Sequence, residues 1–220
     1  MAGGFYARAA AGAKDSLVIP GLLCDKGPMA DLLGMDPGRI ERLRSPERLT
    51  YLDPARVWDV ATPVETGVIV DIGTGVGFLA LPFARRFPRA MVYACDILDG
   101  MLGLLTEEAA REGLANLRTL AMEPAAVPLP DAGADLVIMA QVHHELDDPP
   151  ALLAECRRLL IPGGTLAIID WKDEDNDICP PGGRRVPGLV IAGQMRNEGF
   201  ADVESHDVYR YHNFLTARMK

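Results

Sequence analysis

The sequence predicts an α/β protein whose mostly parallel sheet is covered by helices on both faces. Three observations carry that expectation. Short apolar runs rich in β-branched residues alternate with segments of helical periodicity, the signature of repeated strand–helix units. One of these runs, Val68–Ile72, leads directly into a glycine-rich turn and then an apolar helical stretch. The last two runs follow one another without an intervening helix, as an antiparallel hairpin at a sheet edge would.

Each element has its own local reason. Ser45 and Pro46 form a helix-start signal, a capping serine followed by a first-turn proline, and Asp53-Pro54 repeats it for a helix through Trp58. After the first strand, a helix from Phe78 to Phe87 contains Pro82, which is expected to kink or delay its first turn. The second strand is Met91–Cys95. The helix after it, Asp99–Glu112, places Leu102, Leu105 and Ala109 at core spacing and stops at Gly113. Leu117–Ala121 is the third strand, and Asp135–Ala140 is a fourth, apolar enough to be covered on both faces. Pro149 and Pro150 open a helix whose inner stripe is Leu152, Leu153, Cys156, Leu159 and Leu160. Pro162-Gly-Gly164 turns the chain into a fifth strand, Thr165–Asp170. A helix from Pro187 to Glu198 ends at Gly199, and Asp202–Val208 and Tyr211–Ala217 form the closing hairpin.

Residues 46–220 thus read as one domain, with residues 1–45 as an N-terminal extension. The apolar runs Leu17–Leu23 and Met29–Met35 in that extension are broken or stopped by proline and glycine. A lid over a pocket, a tail, and a contact between two copies in a homodimer all remain open for it.

Composition narrows the function classes. The chain has 31 acidic against 22 basic residues, a net charge of −9, which argues against nucleic acid as a partner. No run approaches membrane-spanning length and no signal-peptide core is evident, so a cytoplasmic protein without a membrane span is expected. Cys24, Cys95, Cys156 and Cys179 form no C-x-x-C pair, and Cys95 and Cys156 read as packing residues. The acidic run Asp173–Asp177 approaches a calcium loop. Ile178 and Arg184 stand where that loop needs glycine and glutamate, so no metal site is expected.

The glycine turn directs the functional reading. Gly73, Gly75 and Gly77 alternate, and glycine lets a ligand approach the backbone without a Cβ in the way. Backbone N–H groups at the following helix start would face that ligand. A dinucleotide site uses G-x-G-x-x-G, with pyrophosphate at the helix start. Here the spacing is G-x-G-x-G, and Asp71 stands two residues before the first glycine. A carboxylate there repels a diphosphate but suits a ligand with an amino group. Asp96, at the end of the second strand, is placed to accept from two ribose hydroxyls. S-adenosylmethionine, with an ammonium, a sulfonium and no phosphate, matches that pair.

With those residues in place, the chain resembles the class I S-adenosylmethionine-dependent methyltransferases. More narrowly it is similar to the small single-domain group related to the ubiquinone/menaquinone biosynthesis methyltransferases. The matching segments are Val70–Gly77, Ala94-Cys-Asp96, Met122–Asp131, Leu159–Leu166, His143-His144 and Asp147-Asp-Pro149. The resemblance implies a Rossmann-like three-layer α/β/α sandwich with a seven-stranded, mostly parallel sheet. Its strand order would be 3-2-1-4-5-7-6, with the antiparallel hairpin at the edge. It implies that Asp71, Gly73, Thr74, Gly75 and Gly77 form the bed for the methionine portion of the cofactor. Asp96 would hold the ribose, Ile97, Glu123 and Pro124 would border the adenine, and Gln141 would sit beside the sulfonium.

In-line transfer from a sulfonium needs alignment more than bond activation, and a base only where the acceptor atom carries a proton of high pKa. His143 and His144 are the candidates, at the carboxyl edge of the sheet where ligands bind, and Glu145, Asp170 and Trp171 share that rim. Gln141-Val-His-His144 stands where adenine or glutamine N-methyltransferases carry (Asp/Asn)-Pro-Pro-(Phe/Tyr). The expected activity is therefore methyl transfer to a small-molecule acceptor. A non-catalytic cofactor-binding module and a nucleotide-dependent oxidoreductase are the rival readings, the latter disfavoured by Asp71 and the glycine spacing.

Overall fold

The alternation of apolar runs and helical stretches produces a three-layer arrangement in the computed structural model of the chain, which describes residues 37–61, 67–174, 178 and 185–220. The runs at 17–23 and 29–35, Cys24, Cys179 and Asp175–Asp177 of the acidic run lie outside those residues.

Among the described residues three short helices, α1 (Pro37–Arg44), α2 (Arg48–Tyr51) and α3 (Pro54–Ala61), precede the sheet. The first half of the sheet comprises β1 (Val68–Ile72), α4 (Ala80–Arg86), β2 (Met91–Asp96), α5 (Asp99–Glu112) and β3 (Leu117–Ala121). The second comprises β4 (Ala134–Ala140), a 3-10 turn at His143–Glu145, α6 (Pro149–Leu159), β5 (Leu160–Trp171), α7 (Gly188–Asn197), β6 (Ala201–Ser205) and β7 (His212–Arg218). The strand order is β3-β2-β1-β4-β5-β7-β6. β1, β2, β3, β4 and β5 pair in parallel, while β7 runs antiparallel to both β5 and β6.

The apolar patterning explains the layers. One face packs Val57, Phe83, Leu105 and Phe214 into a core, and the other packs Leu152, Cys156, Ile191 and Met195. Cys95 and Cys156 are buried free thiols, as expected of packing residues. Asp148 caps α6 by accepting from the Ala151 amide at 3.1 Å, with the two prolines in the first turn. Gly113 ends α5 in the left-handed region at φ 71°.

Two local expectations are refined. Pro82 delays rather than kinks its helix: α4 begins at Ala80, so the proline falls in a first turn whose N–H groups need no intrahelical partner. Pro162-Gly-Gly164 is not a turn before a strand but lies within β5, which begins at Leu160. Leu160 pairs with Ala134 and Thr165 with Leu136, so the extra residues form an irregularity in one long strand. A Cβ on Gly164 would stand 2.9 Å from the Ile161 carbonyl oxygen, which accounts for glycine there.

Candidate cofactor and acceptor site

The parallel strands end on one rim, and their last residues build the site. β1 delivers Asp71, β2 delivers Asp96, and the loop of Gly73, Thr74 and Gly75 runs between them. The Thr74 amide donates to the Cys95 carbonyl at 3.0 Å, pinning the loop across the end of β2. The Thr74 hydroxyl donates to Asp71 Oδ2 at 2.7 Å, and the Gly75 amide donates to Asp96 Oδ2 at 2.7 Å. Asp96 Oδ1 also accepts from the Leu98 amide at 3.0 Å. Both carboxylates therefore hold the loop in shape.

The three alternate glycines do different work. A Cβ on Gly73 would lie 2.4 Å from Val142, and one on Gly77 would lie 2.3 Å from Leu105. These two permit close packing. Gly75, at φ 53°, faces open space with no heavy atom within 4 Å of an added Cβ. It is the position where backbone lies bare to a ligand.

Electrostatics fit a cationic ligand. Asp71 is buried, and desolvation raises its pKa to about 7 despite the opposing Thr74 hydrogen bond. Asp96 is also buried and raised by the same cause, with its backbone hydrogen bonds pulling the other way. Among the described residues neither carboxylate has a cation within ion-pair distance. Ile97 beside Asp96 is 57% exposed, unusual for an isoleucine at a strand end. Glu123 and Pro124 are exposed just beyond β3, in a turn tied to β2 by the Met122 amide and Asp96 carbonyl at 3.0 Å.

On the other side of the rim Gln141 follows β4 in the left-handed region, at φ 59°. Its Oε1 accepts from Arg48 Nη2 at 2.8 Å, which orients its Nε2 to donate to His212 Nε2 at 2.9 Å. His212 is fully buried against Trp171, with ring centroids 4.2 Å apart, and Tyr51 stacks at 6.0 Å. Burial lowers the His212 pKa to about 4, so the ring is neutral and free to accept.

The adjacent histidines part company. His143 is buried, its pKa lowered by desolvation. Neither of its nitrogens reaches a hydrogen-bond partner, although the Gln194 side chain lies beside the ring. His144 instead faces Asp170: Nδ1 is 2.7 Å from Oδ1, and the His144 amide donates to Oδ2 at 2.8 Å. Asp170 is fully buried and also accepts from the Trp171 amide at 2.7 Å. A carboxylate so engaged only accepts, so His144 carries its proton on Nδ1 and Nε2 is the basic nitrogen.

The structure thus gathers the predicted residues on one rim, with Asp71, Asp96 and the loop on one side and Gln141, His144, Asp170 and Trp171 on the other. Arg48, Tyr51 and His212 had not been singled out in the sequence. The signal for His212 was topological: in an antiparallel last strand, the first residue lies at the rim, and here it pairs with Trp171. Arg48 offered no such signal, because its role depends on where α2 docks.

Comparison with known proteins gives the family. Residues 70–168 match the family model described as a methyltransferase domain. The crystal structure of an S-adenosylmethionine-dependent methyltransferase from Aquifex aeolicus superposes with a TM-score of 0.79 at 32% identity, covering 84% of this chain and 99% of that one. The chain belongs to the S-adenosylmethionine-dependent methyltransferases. It is 33% identical over 135 residues to a demethylmenaquinone methyltransferase of Thermus thermophilus, covering 61% of the chain and 57% of that protein. It is 30% identical over 122 residues to a ubiquinone/menaquinone biosynthesis C-methyltransferase of Cupriavidus taiwanensis, covering 53% and 50% respectively. The chain spans about half the length of these curated relatives. The residues present fit S-adenosylmethionine: bare backbone at Gly75 lies between two buried carboxylates, neither of them in an ion pair among the described residues.

Proposed function

We propose that this chain transfers the methyl group of S-adenosylmethionine to a small-molecule acceptor. The observation that carries this reading is the open backbone at Gly75 between Asp71 and Asp96, two buried carboxylates that bond the loop's own Thr74 and Gly75. Asp96 holds the ribose, with Ile97, Glu123 and Pro124 along the adenine. Asp71 acts through Thr74, fixing the loop under the methionine portion and contributing negative charge. Gly73 and Gly77 let Val142 and Leu105 close around the loop. Gln141, held from both ends, lines the methyl path.

When bound, the sulfonium supplies an already activated methyl group. The protein then aligns the acceptor and excludes water, and His144, oriented by Asp170, takes the acceptor's proton at Nε2. Trp171, Tyr51 and His212 form an aromatic wall on that side. α1, from the N-terminal extension, reaches the rim, with Arg39 4.0 Å from Glu145 beside His144. The buried thiols Cys95 and Cys156 suit a reducing cytoplasm.

Calorimetry tests the cofactor half: S-adenosylhomocysteine binds and NAD does not. Asp96→Ala weakens S-adenosylhomocysteine by about 1–3 kcal/mol, the usual loss for hydrogen bonds to a charged group. Equal affinity in the variant places the ribose elsewhere. For the acceptor half, labelled methyl donor is incubated with a metabolite pool, beginning with demethylmenaquinone, for which the Thermus relative is named. Tight cofactor binding without any labelled product would mark a binding module instead.

A further inference from the structure

Arg48 is a buried cation without an anion. Its residue exposure is 7%, and among the described residues no carboxylate lies within ion-pair distance, although the sequence carries 31 acidic residues. Buried charges are ordinarily paired, because an unpaired one has lost its hydration with nothing in return. The acceptors it reaches are uncharged groups: Nη1 donates to the Leu43 carbonyl at 2.8 Å and Nη2 to Gln141 Oε1 at 2.8 Å, and the Tyr51 side chain also takes a hydrogen bond from the guanidinium. Its guanidinium also lies over the Phe78 ring, 3.9 Å from the centroid. A guanidinium has five N–H donors in a fixed fork, so these contacts leave donors in hand. No Arg48 nitrogen is a buried atom left without a partner.

Position adds a second argument. Phe78 directly follows the glycine loop, and Gln141 directly follows β4, so Arg48 is clamped between the two halves of the rim. Gln141 keeps a left-handed backbone at φ 59° while its side chain bridges Arg48 and His212. Such a conformation persists only where surrounding contacts enforce it, as at ligand clamps. The charge layout is complementary as well: Asp71 and Asp96, in no ion pair among the described residues, lie on one side of the rim, and a guanidinium in none lies on the other.

We infer that Arg48 recognises an anionic oxygen, a carboxylate or an equivalent planar oxyanion, on a molecule bound against Gln141. Two sources share that chemistry: the amino-acid carboxylate of the cofactor and an acidic group on the acceptor. The first rests on the cofactor reading above, and the second does not.

The test compares wild type, Arg48→Gln and Arg48→Lys as full chains, with circular dichroism confirming that each is folded. Calorimetry is run with S-adenosylhomocysteine and with 5′-methylthioadenosine, which keeps the nucleoside and thioether but lacks the carboxylate. Benzoate is then titrated into the protein, with and without S-adenosylhomocysteine. If the cofactor supplies the anion, Arg48→Gln weakens S-adenosylhomocysteine roughly 10- to 100-fold. Arg48→Lys recovers part of that loss, and methylthioadenosine affinity stays level. If the acceptor supplies it, S-adenosylhomocysteine is unaffected while the loaded wild type binds benzoate and loaded Arg48→Gln does not. A variant that changes neither contrast overturns the inference. Should methylthioadenosine and S-adenosylhomocysteine both fail on wild type, the cofactor reading falls, and benzoate binding to the bare protein decides Arg48.

Discussion

On the rim beyond β4, Asp170 grips His144 at 2.7 Å through Nδ1, while His143 turns its ring into the protein with both nitrogens unsatisfied. The chemistry open to each follows. An oriented imidazole with a basic Nε2 can accept a proton, whereas a desolvated ring resists carrying charge. His144→Gln is expected to slow methyl transfer roughly 10²–10⁴-fold, the usual contribution of a positioned base, with S-adenosylhomocysteine affinity unchanged. His143→Leu replaces a desolvated ring whose polar side-chain neighbour is Gln194, so its rate of methyl transfer should stay at wild type. Equal losses of rate in the two variants would remove His144 from the chemistry. The sequence offered both histidines on equal terms, since two neighbours on one short turn differ only in which way the chain rotates them. Asp170 was visible on the same rim, but its pairing with His144 depends on the register between β4 and β5.

Among the elements, the glycine loop separates two kinds of glycine that look alike in the sequence. Gly75→Ala meets no atom, so its stability cost is limited to backbone strain of about 1–2 kcal/mol. Its methyl group would intrude on ligand space, and S-adenosylhomocysteine binding should fall sharply. Gly77→Ala instead drives a methyl into Leu105 of α5, 2.3 Å away, and is expected to lower stability by about 1–3 kcal/mol beyond the same strain. Thermal melts and calorimetry on the two variants check this; a larger loss of stability in Gly75→Ala would reverse the assignment. The strand–turn–helix unit itself was legible because apolar β-branched residues, alternate glycines and a flanking acid each point the same way. The course of β5 was less so: Pro162, Gly163 and Gly164 are turn formers by local preference, and pairing to Ala134 overrides them.

Taken as a whole, the protein balances two opposed titrations across its rim. Asp71 has its pKa raised from 3.8 to about 7, so between those values the native state holds a proton that the unfolded chain has lost. That contribution is complete below pH 3.8 and is lost as pH rises through 7, about 4 kcal/mol in all. His212 has its pKa lowered from 6.5 to about 4, so there the unfolded chain holds the extra proton. Its contribution is complete above pH 6.5 and is lost as pH falls through 4, about 3 kcal/mol. Subtracting wild type from Asp71→Asn should give a stability difference that climbs with pH from 4 to 7. The same subtraction for His212→Phe should fall from 4 to 6.5. Urea unfolding across that range measures both, and parallel curves would show that the two groups titrate ordinarily. The layered fold and strand order were accessible from the sequence because they follow from periodicity and from a resemblance spread along the domain. The Arg48–Gln141–His212 bridge was not, since its members are far apart in the chain and meet only when α2, β4 and β7 converge.

That convergence bears on how the molecule is made. β7 lies between β5 and β6 but follows both in the chain, so it is translated after every parallel strand. A nascent chain halted before His212 could assemble the bed beneath the nucleoside, yet Trp171 would face water and the edge of β5 would stand unpaired, ready to join a neighbour. Chaperone capture of chains stalled at that length, and release once residues 212–218 emerge, is the behaviour such an order of assembly entails.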